Sequence, residues 1–483
     1  HCLHLLPPIA GRIVMRPVLN KMASWTVLQL FQLFFSNATV KTIIDNTNTH
    51  AERRREAGKK YSWTILTKKE FYIFLAIVIY TGLVGVKARP DLWRTDFPYN
   101  FRFPRSKMTR ARFEAITWTL HLSDPEEDEE NERKKGTPDY DRLFKIKPLY
   151  TEIVTACKSF YQPQKTLASM RKSNLRCYMP GKPHKWGFKM WGRAGQSGYL
   201  YDFDVCQGRE NPDKEKSDVG ATGDVVLKMT STLPAGKNHK VFADNFFTSV
   251  PLVEHLKQRG IYYIGTVRMN RVKNCRLIDE KELKTKGRGS LDFRVNQEDN
   301  IIVRWYDNKA VNLLSSFVGV EPLGNVKRWD RKAKTYIMVP RPAIVDTYNR
   351  FMGGVDLLDM LSALYKFNFR SRRWYIYIWW HTVTVAVINA WLRYRRDMEK
   401  LQPRQKALPL RRFQASVGSA LTSAGKLPPD VRKDGLYHFP TWETRQRCKH
   451  CVGHFAHVYC EKCRVHLCLN KDRNCFQAYH NSK

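Results

Sequence analysis

An all-β run over residues 270–340 divides this chain between two aspartates that each sit in an otherwise apolar segment. Asp244 closes the run VFAD in VFADNFF, and Asp356 lies in MGGVDLLDML with Asp359 three residues on. Within the dividing run, GSLDFRVN, NIIVRWYDNKAVNLLSSF and KTYIMVPRPAIV alternate apolar and polar residues and carry few helix formers, the pattern of strands. The preceding part mixes types. KWGFKMWGRAGQSGYLYDFDVCQGR (185–209) reads as an antiparallel hairpin, 223–232 as a helix, the segment up to Asp244 as a strand, 248–259 as a helix and 260–268 as a strand. That alternation specifies an α/β layer, and the all-β run reads as an insertion into it.

Helical patterns flank this centre. ASWTVLQLFQLFF, LTKKEFYIFLAIVIYTGL and SKMTRARFEAITWTLHLSD cover residues 24–123, with Thr67 and Glu70 forming a capping box for the second. Residues 139–163 read as one more helix closed by Pro163, and 342–399 return to helix. DPEEDEENE (124–132) reads as a solvated, mobile loop, and LQPRQKALPLRRF (401–413) as a linker. Two apolar segments, 71–85 and 374–392, read as core helices and not membrane spans. The first is short of the roughly 20 residues a bilayer needs, and the second holds His381 and Asn389. The chain opens on His1 and not on methionine, as a fragment does, and no secretory signal is visible.

Charge bounds the partners. The formal net charge is +38, from 83 Lys+Arg against 45 Asp+Glu, while 43% of residues are hydrophobic. A folded protein of this sign attracts polyanions, and its binding to them is salt-sensitive. At 483 residues it has length for two to four domains. Basic and aromatic residues interleave in KPHKWGFKMWGR, with Lys185 and Lys189, in VKRWDRKAK (326–334), and in RSRRWYIYIWW, with Arg372, Arg373 and Trp374. Such runs fit phosphate contacts; each taken alone also fits a solvated face.

Six of the eleven cysteines fall within residues 448–475. Two CxxC pairs, Cys448/Cys451 and Cys460/Cys463, are followed by Cys468, Cys475 and His480. Tetrahedral zinc takes four such ligands, so seven candidates exceed one site and fall one short of two. Two zinc ions in a cross-braced module is the reading, with His450, His454, His457 or His466 as the eighth ligand. A segment this polar has little core of its own, so metal supplies its folding energy. Reduced, unmetallated cysteines are the alternative.

Taken in order, RARFEAITWTLHLSD, DYDRLFKIKPL, YMPGKPHKWGFK, DNFFTS, RGSLDF, VRWYDNKAV, YNRFMGGVDLLD, RRWY and CFQAYH resemble the piggyBac family of transposases and the host proteins derived from them. The resemblance spans about Glu70 to His480. It implies a ribonuclease H-like DDE/D core of α/β class, interrupted by the all-β insertion and flanked by helical dimerisation and DNA-binding regions, with a small zinc-binding module at the C-terminus. The corresponding bounds are 1–160 and 366–440 for the helical regions, 161–270 and 341–365 for the core, 271–340 for the insertion and 441–483 for the module. It also implies a nuclear homodimer acting on double-stranded DNA at TTAA, through two magnesium ions held by three aspartates and a fourth near the last. By motif match Asp244 takes the second place, Asp356 the third and Asp359 the fourth, while Trp374 matches an aromatic position just after the site. Carboxylates from separate elements suit magnesium, and two metals stabilise attacking and leaving oxygens of an in-line displacement. Asp244 alone also fits a helix cap before FFTSVPLVEHL.

The first aspartate of that pattern has no counterpart. Between YQP (161–163) and YMPGKP (178–183) no acid occurs, and none lies anywhere from Ile153 to Tyr201, where nine residues are Lys or Arg. Asp202 or Asp204 in YLYDFDV is a conceivable substitute, although surface-facing carboxylates of a hairpin are the plainer reading. The expectation is a DNA-binding chain with an impaired catalytic centre. The alternatives are a domesticated DNA- or chromatin-binding protein with no nuclease role, or a zinc cross-brace adaptor.

Overall fold

The computed structural model describes residues 25–58, 62–86, 88–159, the backbone of 166–173, 190–206, 217–367, 371, 373–401, 403–423 and 438–481. These fall into two compact units. One comprises Glu126–Leu364 with Tyr377–Leu392, the other Leu19–Pro125, Tyr365–Ile376 and Arg393–Lys483.

Five helices open the second unit: α1 (Val27–Gln32), α2 (Asn37–Glu56), α3 (Lys68–Val84), α4 (Arg102–Lys107) and α5 (Arg110–Thr119). The capping box expected for α3 is present, with Thr67 and Glu70 each bonding the other's backbone N–H. The Glu70 carboxylate also accepts a fork from Arg112 on α5, at 3.0 and 2.9 Å. α2 lies between the segments that read as helices in the sequence. Its Val40, Ile43, Ile44, Thr47 and Ala51 are buried along one stripe, and Thr47 Oγ1 donates to the His121 carbonyl at 3.1 Å.

The other unit begins with α6 (Pro125–Arg133) and α7 (Lys147–Ser159). α6 corrects the mobile-loop expectation for 124–132. Acids in its first turn face the positive end of the helix dipole, and Glu130 pairs with Lys134 at 2.8 Å. α7 covers only part of the expected 139–163 helix, entered through a 3-10 turn at Phe144–Ile146. Then follow β1 (Thr166–Ser173), β2 (Met190–Gly195), β3 (Leu200–Val205), α8 (Gly220–Thr230), β4 (His239–Ala243), α9 (Val250–Gln258), β5 (Ile261–Thr266), α10 (Glu280–Lys286), β6 (Leu291–Val295), β7 (Ile301–Tyr306) and β8 (Ala310–Ser315). The hairpin read over 185–209 is β2–β3.

All eight of these strands form one sheet in the order β3-β2-β1-β4-β5-β8-β7-β6. β1, β4 and β5 run parallel; the other neighbours are antiparallel. Three strands of the all-β run thus extend the sheet through β5–β8 pairing, and α10 interrupts the run. The remaining two, β9 (Gly324–Asp330) and β10 (Thr335–Arg341), make a separate ribbon. Helices α11 (Ala343–Phe351) and α12 (Gly354–Leu364) return to the sheet. Phe242, Ile264, Val303, Trp305, Val339 and Tyr348 are among the side chains that close this core.

α13 (Trp374–Leu401) gives Tyr377–Leu392 to this unit and its ends to the other. No helix among the described residues is long and apolar enough to cross a membrane. α14 (Leu410–Thr422) begins inside the segment expected to be a linker and packs on α3, where the Gln414 amide donates to the Ile79 carbonyl at 3.3 Å. The C-terminal segment carries β11 (Pro440–Arg447), β12 (Phe455–Cys460), β13 (Val465–His466) and α15 (Cys475–Asn481).

Candidate metal centres and nucleic-acid interface

Asp244 follows the last residue of β4, at the carboxyl ends of the parallel strands, where open α/β sheets place their ligands. DNFFTS folds here as a tight turn. Asp244 Oδ1 accepts the Phe246 N–H at 2.8 Å, and the Asp244 carbonyl accepts the Thr248 hydroxyl at 2.9 Å. Arg271 Nη1 donates to the Phe246 carbonyl at 2.7 Å, and Trp191 of β2 stacks on Phe246 at 5.5 Å. The helix cap for α9 is Ser249, so Asp244 does not serve as that cap. Gly265 on β5 lets the turn lie flat: a Cβ there would stand 2.2 Å from Thr248 Oγ1.

Asp356 is in the first turn of α12 and Asp359 one turn on, both exposed. α12 packs against β1 and β2. Its seat is the β2–β3 turn, where Gly198 holds φ +85° and a Cβ would meet the Leu357 side chain at 3.2 Å. The Phe242 and Phe351 rings, 5.3 Å apart, tie β4 to the end of α11. Asp244 thus follows β4, whereas Asp356 lies on the helix that packs on β1 and β2, the next two strands of the sheet. Together with Asp359 they do not form a set of ligand atoms within 4.8 Å; among the described residues such sets occur only in the C-terminal segment.

β1 pairs with β4 and also packs against α12. Met170 registers with Ala243, the residue before Asp244, and the strand reads TLASMRKS, with two bases and no acid. Of the positions that the resemblance matches to a two-magnesium donor set, Asp244 and Asp356 carry carboxylates and β1 carries none, so the residues present do not fit that pair of ions.

Asp202 and Asp204 do not fill the gap. They lie on β3, three strands from β4, which at about 4.8 Å per strand is roughly 14 Å away. Nor are they surface carboxylates of a hairpin. Asp202 is 2% exposed and pairs with Lys158 at 3.1 Å, opposite Arg193 on β2. Asp204 accepts the Tyr150 hydroxyl at 2.8 Å and pairs with Lys228. An apolar-polar alternation cannot distinguish a buried ion pair from a solvated face, so the sequence misassigned Asp202.

The cysteines form two interleaved sets, each within 4.8 Å: Cys448, Cys451, Cys468 and Cys475, and His438, Cys460, Cys463 and His480. Four thiolates 2.3 Å from a central zinc stand about 3.8 Å apart, and Cys451 Sγ lies 3.7 Å from Cys468 Sγ. His438 Nδ1 lies 3.4 and 3.3 Å from the sulfurs of Cys460 and Cys463. His480 bonds the Phe476 carbonyl through Nδ1 at 2.6 Å, leaving a buried Nε2 with no hydrogen-bond partner. That is how a ligating imidazole is oriented. A hydrogen bond from the Cys463 thiol, opposed by burial and aided by the Cys463 N–H and His438, holds the Cys460 thiol down to about 4. Both sets fit zinc. The eighth member is His438, which corrects the expectation of His450, His454, His457 or His466. It stands ten residues before Cys448, beyond any short spacing rule.

Of the proposed DNA contacts, Lys185, Lys189 and Arg372 lie outside the described residues. Arg373 donates to the Thr117 and Leu120 carbonyls at the end of α5 and to the Tyr375 hydroxyl. Trp374 is half-buried, edge-on to Tyr375 at 5.9 Å.

Comparisons with known proteins follow this architecture. A family model described as Transposase IS4 matches residues 26–391. The human (Homo sapiens) PiggyBac transposable element-derived protein 2 is 31% identical over 473 residues, 93% of this chain and 76% of that protein. PiggyBac transposable element-derived protein 3, also human, is 29% identical over 494 residues, 98% and 79% respectively. Among solved structures, that of a piggyBac transposase synaptic complex with hairpin DNA superposes with a TM-score of 0.66 at 22% identity, covering 92% of this chain and 95% of that one. The fold is shared.

Proposed function

The chain belongs to the piggyBac transposase family, and on that premise we propose that it is a nuclear DNA-binding protein of transposase descent whose strand-transfer centre is dismantled. One observation carries the reading: β1, which lies beside Asp244, has no carboxylate, and neither has any residue from Ile153 to Tyr201. The ribonuclease H-like reading of the core rests on the parallel β1, β4 and β5 with the β2–β3 hairpin at one side. Divalent metal would polarise a phosphodiester for in-line attack. Asp244 and Asp356 remain of the expected carboxylates, too few for a pair of ions, and the β1 sequence offers none.

Binding does not need that acid. A net charge of +38 supplies an electrostatic attraction to the phosphate backbone that weakens steeply with salt. The two cysteine-histidine sets would hold two zinc ions and give the C-terminal segment its fold. A homodimer and recognition of TTAA are carried over from the family as part of this proposal.

The test incubates the full chain with TTAA-bearing duplex and magnesium, and measures nicking, strand transfer and binding in parallel. The expected result is no cleavage, with salt-sensitive binding that Asp356→Asn leaves unchanged. Magnesium-dependent cleavage that disappears in Asp244→Asn would overturn the proposal.

A further inference from the structure

The β9–β10 ribbon has two faces of different chemistry. Val326, Ile337 and Val339 turn into the core, and Arg328 bonds Asp307 at 2.8 Å. Arg288 bonds the same carboxylate and also donates to the Trp329 carbonyl at 3.2 Å. At the far end, Trp305 Nε1 donates to the Pro340 carbonyl at 2.9 Å. The ribbon is thus clamped along one side and presents the other.

That other face is not what a solvated ribbon carries. Trp329 and Tyr336 are cross-strand partners, 50% and 58% exposed, with ring centroids 5.1 Å apart. Met338, 62% exposed, lies beside them, and Lys327 stands 4.5 Å over the Tyr336 ring. Arg331, Lys332 and Lys334 are exposed at the tip. Gly324–Arg341 holds six bases and one acid. That acid, Asp330, is occupied by the Lys332 and Ala333 N–H groups at 2.8 and 2.9 Å.

Exposed apolar area grouped on one face marks a contact surface, and the surrounding charge selects the partner. A second copy of this chain would bring the same positive ribbon, or a body of +38, against it. Duplex DNA needs only the cations, because its bases are already stacked on one another. Rings beside cations suit a strand whose bases have an open face. We propose that the outer face of this ribbon binds an unpaired nucleic-acid strand, with a base stacked at Trp329–Tyr336 and flanking phosphates held by Lys327, Arg331, Lys332 and Lys334. The proposal deepens the nucleic-acid-binding reading above and rests on it.

The experiment measures anisotropy of labelled oligothymidine, and of a duplex of equal length, against the full chain and its variants. Trp329→Ala with Tyr336→Ala is expected to lower oligothymidine affinity on the order of tenfold or more, with duplex affinity held within about twofold. Trp329→Phe retains most of the single-strand affinity. Arg331→Gln with Lys332→Gln weakens both. The proposal is overturned if the double alanine variant, its thermal unfolding unchanged, binds oligothymidine as the parent does. It is equally overturned if that variant only lowers the sedimentation mass, which would make the ribbon a contact between copies. A parent that binds neither strand at low salt sinks the broader DNA-binding reading as well, whereas duplex binding without single-strand binding sinks this proposal alone.

Discussion

Asn389 completes the edge strand β3 by standing in for a neighbouring strand at Leu200. Its side-chain oxygen accepts the Leu200 N–H at 3.0 Å, and its amide donates to the Leu200 carbonyl at 2.9 Å and to the Cys157 sulfur at 3.2 Å. Asn389 is fully buried and Leu200 is 3% exposed, so water cannot replace these bonds. Asn389→Leu leaves two buried backbone groups unpaired at about 1–3 kcal/mol each. The expected loss is about 3 kcal/mol, read as a lower urea midpoint with an unchanged slope. A loss below about 0.5 kcal/mol would show that the edge reorganises and that the amide is dispensable.

The Asp244 turn depends on the bare backbone of Gly265. Gly265→Ala forces a methyl against Thr248 Oγ1, the hydroxyl that bonds the Asp244 carbonyl. Overpacking of this kind costs about 1–3 kcal/mol. Thr248→Ala removes the obstructing oxygen, so the double variant is expected to lose less than the sum of the singles. A thermal-unfolding cycle measures that coupling, and strict additivity would mean the two residues do not meet.

Zinc content follows from the interleaved ligand sets. The purified chain is expected to carry two zinc ions by elemental analysis. His438→Ala empties or weakens the Cys460–Cys463–His480 set and leaves the four-cysteine set loaded, so the count falls towards one. His450→Ala, His454→Ala and His457→Ala leave it at two. A count of two in His438→Ala, with one in any of the others, would return the eighth ligand to those histidines. Chelation of both ions is expected to unfold the segment, since it has little apolar core beyond the cysteines.

Local signals were legible and tertiary ones were not. The Thr67–Glu70 box, the β2–β3 hairpin and the CxxC pairs are written within a few residues, because caps, turns and paired thiolates are short-range devices. α2 is hard to read although Val40, Ile43, Ile44, Thr47 and Ala51 recur at helical spacing, since its many Asn and Thr residues blur the stripe. The joining of β6–β8 to the main sheet depends on which edge β8 meets, and strand alternation carries no such address. His438 is separated from its sulfur partners by more than twenty residues, so only folding brings it to Cys460 and Cys463. The absent acid on β1 was readable because it is a matter of composition; its placement beside Ala243 needed the register.

The buried pair on β3 gives a pH signature. Burial raises the Asp202 carboxyl above its ordinary range, against the pull of Lys158 and Arg193. A carboxyl raised in the native state binds its proton more tightly folded than unfolded. Its contribution to stability is full below the unfolded value and is lost as pH climbs through the folded one. Asn at this position cannot titrate. The stability advantage of the parent over Asp202→Asn is therefore expected to shrink as pH rises above the ordinary carboxylate value of about 4. Urea unfolding of both proteins at fixed ionic strength measures the difference at each pH. If the advantage instead grows with pH, Lys158 and Arg193 outweigh burial, and the ionised Asp202 is a stabilising partner in the hairpin.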